Sequence, residues 1–600
     1  MGKSIKIFKK CFLIFAIFTL IFSFNRASSE AIVNNNPSEK EISSSSSCII
    51  LTKDEFLNSL RQLIMLFPNY NFSFVTIETI GSSNPVTIRD YLFSHFKYGY
   101  LVIAADEQTI PPGTLIITDT EVFSPNKVQS DTFYSIETLD FDKDGKYGEF
   151  YDDIMKTKLQ FRFIVSRIPY KSNAEFESYF ENLKKFKDET SSNILLSASF
   201  ISFPNEIYMN GHILTGDGAR AMEIIKNNFF KNAVTLYETG GDFPTIYDPT
   251  ATLSKETFIK EIKEANLIIW DAHGSQTGAY TETWFDKNKN GLPDAGEFVY
   301  TPFISASDTF ETHAIVFSAS CLNLNGDNNL GKSFIKKGAL AFVGAREVTY
   351  SPSYFATEND GGSASIMCYF TQNLSKGNTV GTALYDAFNF YYKNLLFKDI
   401  EDPIESGLLN IYDFNIYGLP MVTLNYKELT NTNNATEVKS QQCNLEYQFN
   451  VDNSTKKFTL NIKNGNHYSI ICPKNLLVTN HALLEDSTAI KSIFDPYFNI
   501  IRVNENGSLI VEGYIRGDDE STIKIKSAEC ETNIEVSYDG LDLEDFDFDT
   551  KVNYNDLNML ISNFGKTYMD ENFPYQCDLN NDLRINGVDI LMFLRYFIKV

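Results

Sequence analysis

The chain has 600 residues, enough for several domains, and 43% of them are hydrophobic, enough for ordinary globular cores. Its formal net charge of -25 argues against nucleic acid or an anionic membrane surface as a partner, because phosphate would be repelled. The same acidity suits a soluble secreted protein that collects calcium on its carboxylates.

Residues 1–29 read as a signal peptide. Lys3, Lys6, Lys9 and Lys10 form a basic region, an apolar run follows from Cys11 to Phe24, and the small residues Ala27 and Ser29 offer a cleavage site. The run is short for a membrane span, and no other stretch is long and apolar enough to be one. The mature protein is therefore expected outside the cell with no membrane segment. Residues 30–47 are polar and Ser-rich, a flexible leader.

From Cys48 the pattern changes. Apolar β-type runs (CIILT, FSFVTIETI, GYLVIAA) alternate with helical ones (KDEFLNSLRQLIMLF, TIRDYLFSHFK). The alternation resumes from FRFIVSRIP and continues to YDFNIYGLPMVTLNY, near residue 426. It predicts βαβ units and an α/β domain with a mainly parallel sheet over 48–426. Residues 427–442 are an Asn/Thr-rich linker. Residues 443–540 show short alternating strands with no helical pattern, which predicts a small β-sandwich. Among the eight cysteines, Cys443, Cys472 and Cys530 share that β-rich region, where one pair is placed to bridge. Cys321 and Cys368 lie in the α/β region, and an odd thiol in a secreted protein is a candidate reactive one.

Residues 541–600 contain a duplicated motif. Asp545, Asp547, Asp549, Asn553 and Asp556 occupy positions 1, 3, 5, 9 and 12 of one loop, and Asp578, Asn580, Asp582, Asn586 and Asp589 the same positions of a second. That is the oxygen-ligand spacing of an EF-hand-type calcium site. Each loop runs into an amphipathic helix, and Val552 or Ile585 sits at position 8. This duplicated loop-helix resembles the dockerin module of cellulosome-type assemblies. The resemblance implies a cohesin domain on a scaffold protein as partner. Position 6, usually Gly, is Thr550 or Leu583 here. Positions 10 and 11, which help dockerins choose a cohesin, are Tyr554 and Asn555 in one copy and Gly587 and Val588 in the other.

The strongest chemistry lies at two strand ends. NLIIWDAHG ends at His273-Gly274, and HAIVFSASC ends at Cys321. Functional groups of a parallel sheet collect beyond the carboxyl ends of its strands, so both residues are expected on one edge. A thiol beside an imidazole can attack a carbonyl carbon, and the imidazole can protonate the departing amine. The backbone N–H groups of Gly274 and Cys321 are candidates for the oxyanion hole. The strand-HG and strand-Ala-Ser-Cys pair, in that order, resembles the caspase-like fold of clan CD cysteine peptidases, and within it the gingipain family. SDTFY from Ser130, VSRIPYKSNAEFE from Val165, GKSFIKKGALAFVGAREVTYSP from Gly331 and FNIYGLP from Phe414 extend the match over about 48–426. The resemblance implies a cysteine endopeptidase acting on protein or peptide, with His273 and Cys321 catalytic and a narrow P1 preference, often Arg or Lys. It also implies that the β-sandwich is immunoglobulin-like.

Between the two catalytic strands, Asp286, Asn288, Asn290, Asp294 and Glu297 take positions 1, 3, 5, 9 and 12 of a further EF-hand-type loop, with Gly291 at position 6. An acidic loop earlier in the chain offers Asp140, Asp142 and Asp144, but its position 12 is Tyr151. Two functional classes stay open at this point. One is an active peptidase carried by its dockerin. The other is a catalytically idle, scaffold-bound binding protein with a caspase-like domain.

Overall fold

The computed structural model describes residues 46–426, 443–541, 546 and 552–597 apart from short segments within them, with backbone only for 443–541. Residues 1–45 and 427–442, which hold the expected signal peptide, nearly all of the leader and the linker, lie outside the described residues.

Eleven strands among the described residues form one sheet. Its order is Ala251–Thr252, Val234–Tyr237, Ile194–Ala198, Leu267–Asp271, Ile315–Ala319, Ala341–Ala345, Phe414–Gly418, Phe163–Arg167, Gly99–Ile103, Ser47–Thr52 and Asn71–Thr76. Every neighbouring pair is parallel except Ala341–Ala345 with Phe414–Gly418. The mainly parallel sheet expected from the alternation is present, but it consists of two parallel halves running in opposite directions. The central strands LIIWD, IVFSA and AFVGA are buried along their whole length. Continuous apolar runs of this kind are what a sheet covered on both faces requires.

Helices flank the sheet and carry their own start signals. Ser172 caps Asn173–Phe186 and Thr379 caps Val380–Asn394, each hydroxyl accepting a first-turn N–H. The helix expected over KDEFLNSLRQLIMLF is instead three short turns, Asp54–Phe56, Leu57–Leu60 and Leu63–Leu66. Bonds from Gln62 to Ser59 and from Ile64 to Arg61 tighten the chain there, while Phe56, Leu60 and Leu63 still reach the core.

The stretches SDTFY, VSRIP, GAREV and FNIYG meet in one buried ionic network. Arg167 donates Nε to Asp131 at 2.7 Å, and Arg346 donates to Glu107 at 2.9 Å. The hydroxyl of Tyr417 donates to the same Glu107 at 2.6 Å. These residues tie the two half-sheets together, which is a structural role; breaking such a pair leaves an uncompensated buried charge.

The described residues of 443–541 form nine strands in two antiparallel groupings, one ordered Leu476–Leu483, Gly507–Ile515, Thr455–Gly465, Asn533–Leu541. The expected Cys443, Cys472 and Cys530 bridge falls on side chains outside the described ones. At the C-terminus, helices Tyr554–Ser562 and Gly587–Phe597 share a small core of Phe546, Leu560, Cys577, Ile585 and Phe593. Among the described residues no helix is long and apolar enough to cross a membrane.

Candidate active site

The strand Leu267–Asp271 lies between Ile194–Ala198 and Ile315–Ala319, with Asp271 level with Ala319. His273 and Cys321 each follow two residues later, so equal offsets bring them out side by side at one sheet edge. The edge is stitched. Trp270, fully buried, donates its indole N–H to the Ser320 hydroxyl at 3.0 Å, and Ser320 donates to the Ala272 carbonyl at 2.6 Å. The Asn323 amide donates to the carbonyls of Ser275 at 2.7 Å and Cys321 at 3.2 Å. Gly274 fits for a reason of packing: a Cβ there would lie 2.3 Å from the Cys321 carbonyl oxygen and 2.8 Å from its nitrogen. The histidine strand thus presses its backbone directly on the cysteine, which only glycine permits.

The residue after the cysteine is strained. Leu322 has a φ of 64°, a left-handed conformation that costs a bulky residue roughly 1–2 kcal/mol. Its N–H donates to the Glu347 carbonyl at 2.8 Å, and Leu324 donates to Ala345 at 2.8 Å, so the neighbouring strand holds the bend. The sharp turn lifts the thiol out of the sheet. Cys321 is partly exposed, with Sγ 3.7 Å from the Thr349 hydroxyl. Burial pushes its thiol up, with the Thr349 contacts pulling the other way. A thiol in this state needs a base to take its proton when a substrate arrives.

The imidazole is held by a hairpin. His273–Ser275 pairs with Gly278–Trp284, which pairs in turn with Phe298–Ser305. On that hairpin Glu282 sits opposite Tyr300. Glu282 Oε2 lies 2.9 Å from His273 Nε2, and the Tyr300 ring stands edge-on to the imidazole. Two more carboxyls lie behind: burial pushes Asp271 and Glu238 each up to about 7. Sequence reasoning missed Glu282, Tyr300, Ser320 and Asn323, since none sits in a recognisable spacing.

A family model for peptidase family C25 matches residues 42–425, and one for the type I dockerin domain matches residues 543–598. The chain belongs to peptidase family C25. This is the gingipain family of cysteine peptidases, in clan CD, so the chain is a cysteine-type endopeptidase carrying a C-terminal type I dockerin. No curated protein matches the chain. A solved chain described as "Structure of Protease" is similar over 82% of this chain and 97% of its own length, at 10% identity and a TM-score of 0.43.

The acidic loops of this C25 peptidase share a local pattern. In 286–297, the closing Glu297 accepts the N–H groups of Lys287 at 3.0 Å and Asp294 at 3.2 Å, loop positions 2 and 9. The Trp284 indole, followed by those amides, holds the Glu297 carboxyl below its ordinary value. The dockerin loops close identically: Asp556 accepts from Phe546 and Asn553, and Asp589 from Leu579 and Asn586, at 2.7–2.8 Å. Asp556 and Asp589 are fully buried. Of the other sequence-predicted ligands, Asp286, Asn288, Asp294, Asn553, Asp578 and Asn586 are described, while Asn290, Asp545, Asp547, Asp549, Asn580 and Asp582 lie outside the described residues. The earlier loop is closed by Asp153 rather than by anything at Tyr151. Its carboxylate accepts from Phe141, Gly148 and Glu149, and ligand atoms of Asp140, Asp142 and Asp153 lie within 4.8 Å of one another. Asp144 instead bonds the Lys146 N–H at 2.8 Å.

Proposed function

We propose that the protein is a secreted endopeptidase in which Cys321 is the nucleophile and His273 the acid–base, tethered to a cellulosome-type scaffold by its dockerin. Cys321 Sγ attacks the scissile carbonyl carbon while His273 takes the thiol proton. Charge developing on the carbonyl oxygen meets the N–H groups of Gly274 and Cys321. His273 then passes its proton to the leaving amine as the C–N bond breaks, which leaves a thioester. Water, deprotonated by His273, cleaves the thioester and restores the thiol. The observation that supports this most is the level emergence of His273 and Cys321 from adjacent parallel strands, with Gly274 packed on the cysteine backbone. A P1 preference for Arg or Lys belongs to the same reading through the family.

The domain scheme follows: signal peptide 1–29, leader 30–47, peptidase 48–426, linker 427–442, an immunoglobulin-like sandwich 443–540 and dockerin 541–600. Calcium belongs in the two dockerin loops and in loop 286–297. Their donors are hard carboxylate and amide oxygens in the spacing that ion takes, and each closing carboxylate is pre-oriented by loop amides. In each loop the ion would offset repulsion among the carboxylates and fix the turn. The alternative, a catalytically idle scaffold-bound protein, has no use for a thiol and an imidazole brought out level at one sheet edge.

Alkylation decides between the two. Cys48, Cys368 and Cys577 are buried, whereas Cys321 is partly exposed, so among the described thiols an iodoacetamide-type reagent should reach Cys321 first. Modification of Cys321, located by mass spectrometry, is expected to abolish peptide hydrolysis in step with labelling. Full labelling with hydrolysis retained rejects the assignment. A separate result is expected for the dockerin. Chelation should remove cohesin binding together with the helical signal of 554–562 and 587–597, because Asp556 and Asp589 are buried carboxylates that repel their neighbours without an ion. Scaffold binding measured in excess chelator checks it.

A further inference from the structure

We infer that Glu282, held in turn by Tyr300, is the positioning residue that orients the His273 imidazole for proton transfer; the inference rests on the Cys321–His273 reading above. An imidazole has two nitrogens, and the partner of one fixes the role of the other. Here Nε2 faces Glu282 Oε2 at 2.9 Å, so the Nε2–H donates to the carboxylate and Nδ1 is left to exchange protons with the thiol. Glu282 has little freedom to do anything else. Its side chain is 7% exposed, its Oε1 accepts from the Tyr300 hydroxyl at 2.5 Å, and its backbone N–H donates to the Ser199 hydroxyl at 2.8 Å. The cross-strand pairing of Glu282 with Tyr300 makes the clamp a property of one hairpin.

The surrounding charges favour Glu282 over the other acids for this role. Asp271 ends the strand just before the histidine and interacts with it through space, while among the described residues the ring's side-chain hydrogen bond goes to Glu282. Glu238 faces Glu282 from beyond the strand Val234–Tyr237, and its Oε1 is engaged by the Gly240 N–H and the Thr283 hydroxyl. Asp217 interacts with both Asp271 and Glu238 through space, and its carboxylate oxygens accept from the Ala219 N–H and the Thr245 hydroxyl. Glu282 alone among these carboxylates bonds the ring. As His273 becomes imidazolium during attack, a carboxylate at that distance stabilises the new charge. That is an interaction stronger in the transition state than before it.

The test uses the full-length protein, a fluorogenic peptide and a pH series of kcat/KM. Glu282→Gln keeps shape but loses charge. It is expected to lower kcat by about 10- to 100-fold with KM nearly unchanged. With its protonated form no longer stabilised, the imidazole should stay available as a base to lower pH, moving the acidic limb of the profile down by about one unit. Glu282→Asp, which keeps the charge, should recover part of kcat and return the limb toward its wild-type position. Wild-type kcat and profile in Glu282→Gln overturn the inference. So does a loss of kcat with no movement of the profile, which marks a packing role only. If Glu282→Gln does not fold, Tyr300→Phe carries the test, with an expected loss of about threefold to tenfold and a limb displaced the same way; no change in either rejects the clamp. Activity surviving Cys321→Ala would instead remove the underlying reading, so the two failures are distinguishable.

Discussion

Cys321→Ala is expected to give a folded protein that no longer cleaves peptides. The thiol is partly exposed at the end of a strand and lies against Thr349, at 3.7 and 4.0 Å, so removing one sulfur atom opens no core cavity. The strained turn at Leu322 is held by backbone bonds to Glu347 and Ala345, which the substitution leaves alone. Melting temperature and circular dichroism should therefore stay at wild-type values. Hydrolysis, by contrast, loses its nucleophile outright, and kcat should fall by about four orders of magnitude or more. His273→Ala should cost nearly as much, because a thiol pushed up by desolvation then loses the base that takes its proton. Residues that act as a unit are not additive, so the double variant should be no slower than the worse single one. Losses that multiply in the double variant would mean that the two side chains act separately, and the pairing would be wrong.

The sequence carried the parts of this site that repeat or punctuate, and lost those set by geometry across strands. Apolar runs of LIIWD and IVFSA type announce fully buried parallel strands, so placing His273 and Cys321 at a common edge needed only strand ends and the rule for where parallel sheets gather function. The reversal of direction at Phe414–Gly418 was not legible, because an antiparallel neighbour in a buried sheet is as apolar as a parallel one. Glu282 was hidden for a related reason. It follows His273 through a short turn and becomes its partner only because the hairpin register sets it against Tyr300. Asp153 escaped because one closing carboxylate two positions past the regular spacing breaks the pattern, while the folded chain restores the same amide contacts. Gly274 was picked out for its backbone N–H; that its missing side chain makes room for the cysteine backbone only the packing reveals.

Calcium is expected to support hydrolysis through loop 286–297 independently of docking. The loop is the tip of the hairpin whose strands Gly278–Trp284 and Phe298–Ser305 carry Glu282 and Tyr300. Trp284, the last residue before the loop's approach, is buried in an aromatic cluster with Phe200, Phe203 and Phe243 and gives its indole N–H to Glu297 at 2.9 Å. The closing carboxylate of the loop and the clamp on the imidazole are thus joined by a few rungs of one ladder. Fixing a residue's backbone costs roughly 1–2 kcal/mol, so an acidic loop of this length is expensive to order without a cation. An ion at a concentration 100-fold above its Kd would add about 2.7 kcal/mol to the folded state, enough to move a melting midpoint by several degrees. In the full-length protein, Asp545→Ala with Asp578→Ala should abolish scaffold binding yet leave hydrolysis calcium-dependent. Asp286→Ala with Glu297→Gln should do the reverse, with docking intact and both the activity and the melting of the peptidase domain indifferent to chelator. Equal activity of the wild-type enzyme in calcium and in chelator would reduce the loop to a surface staple with no line to the imidazole.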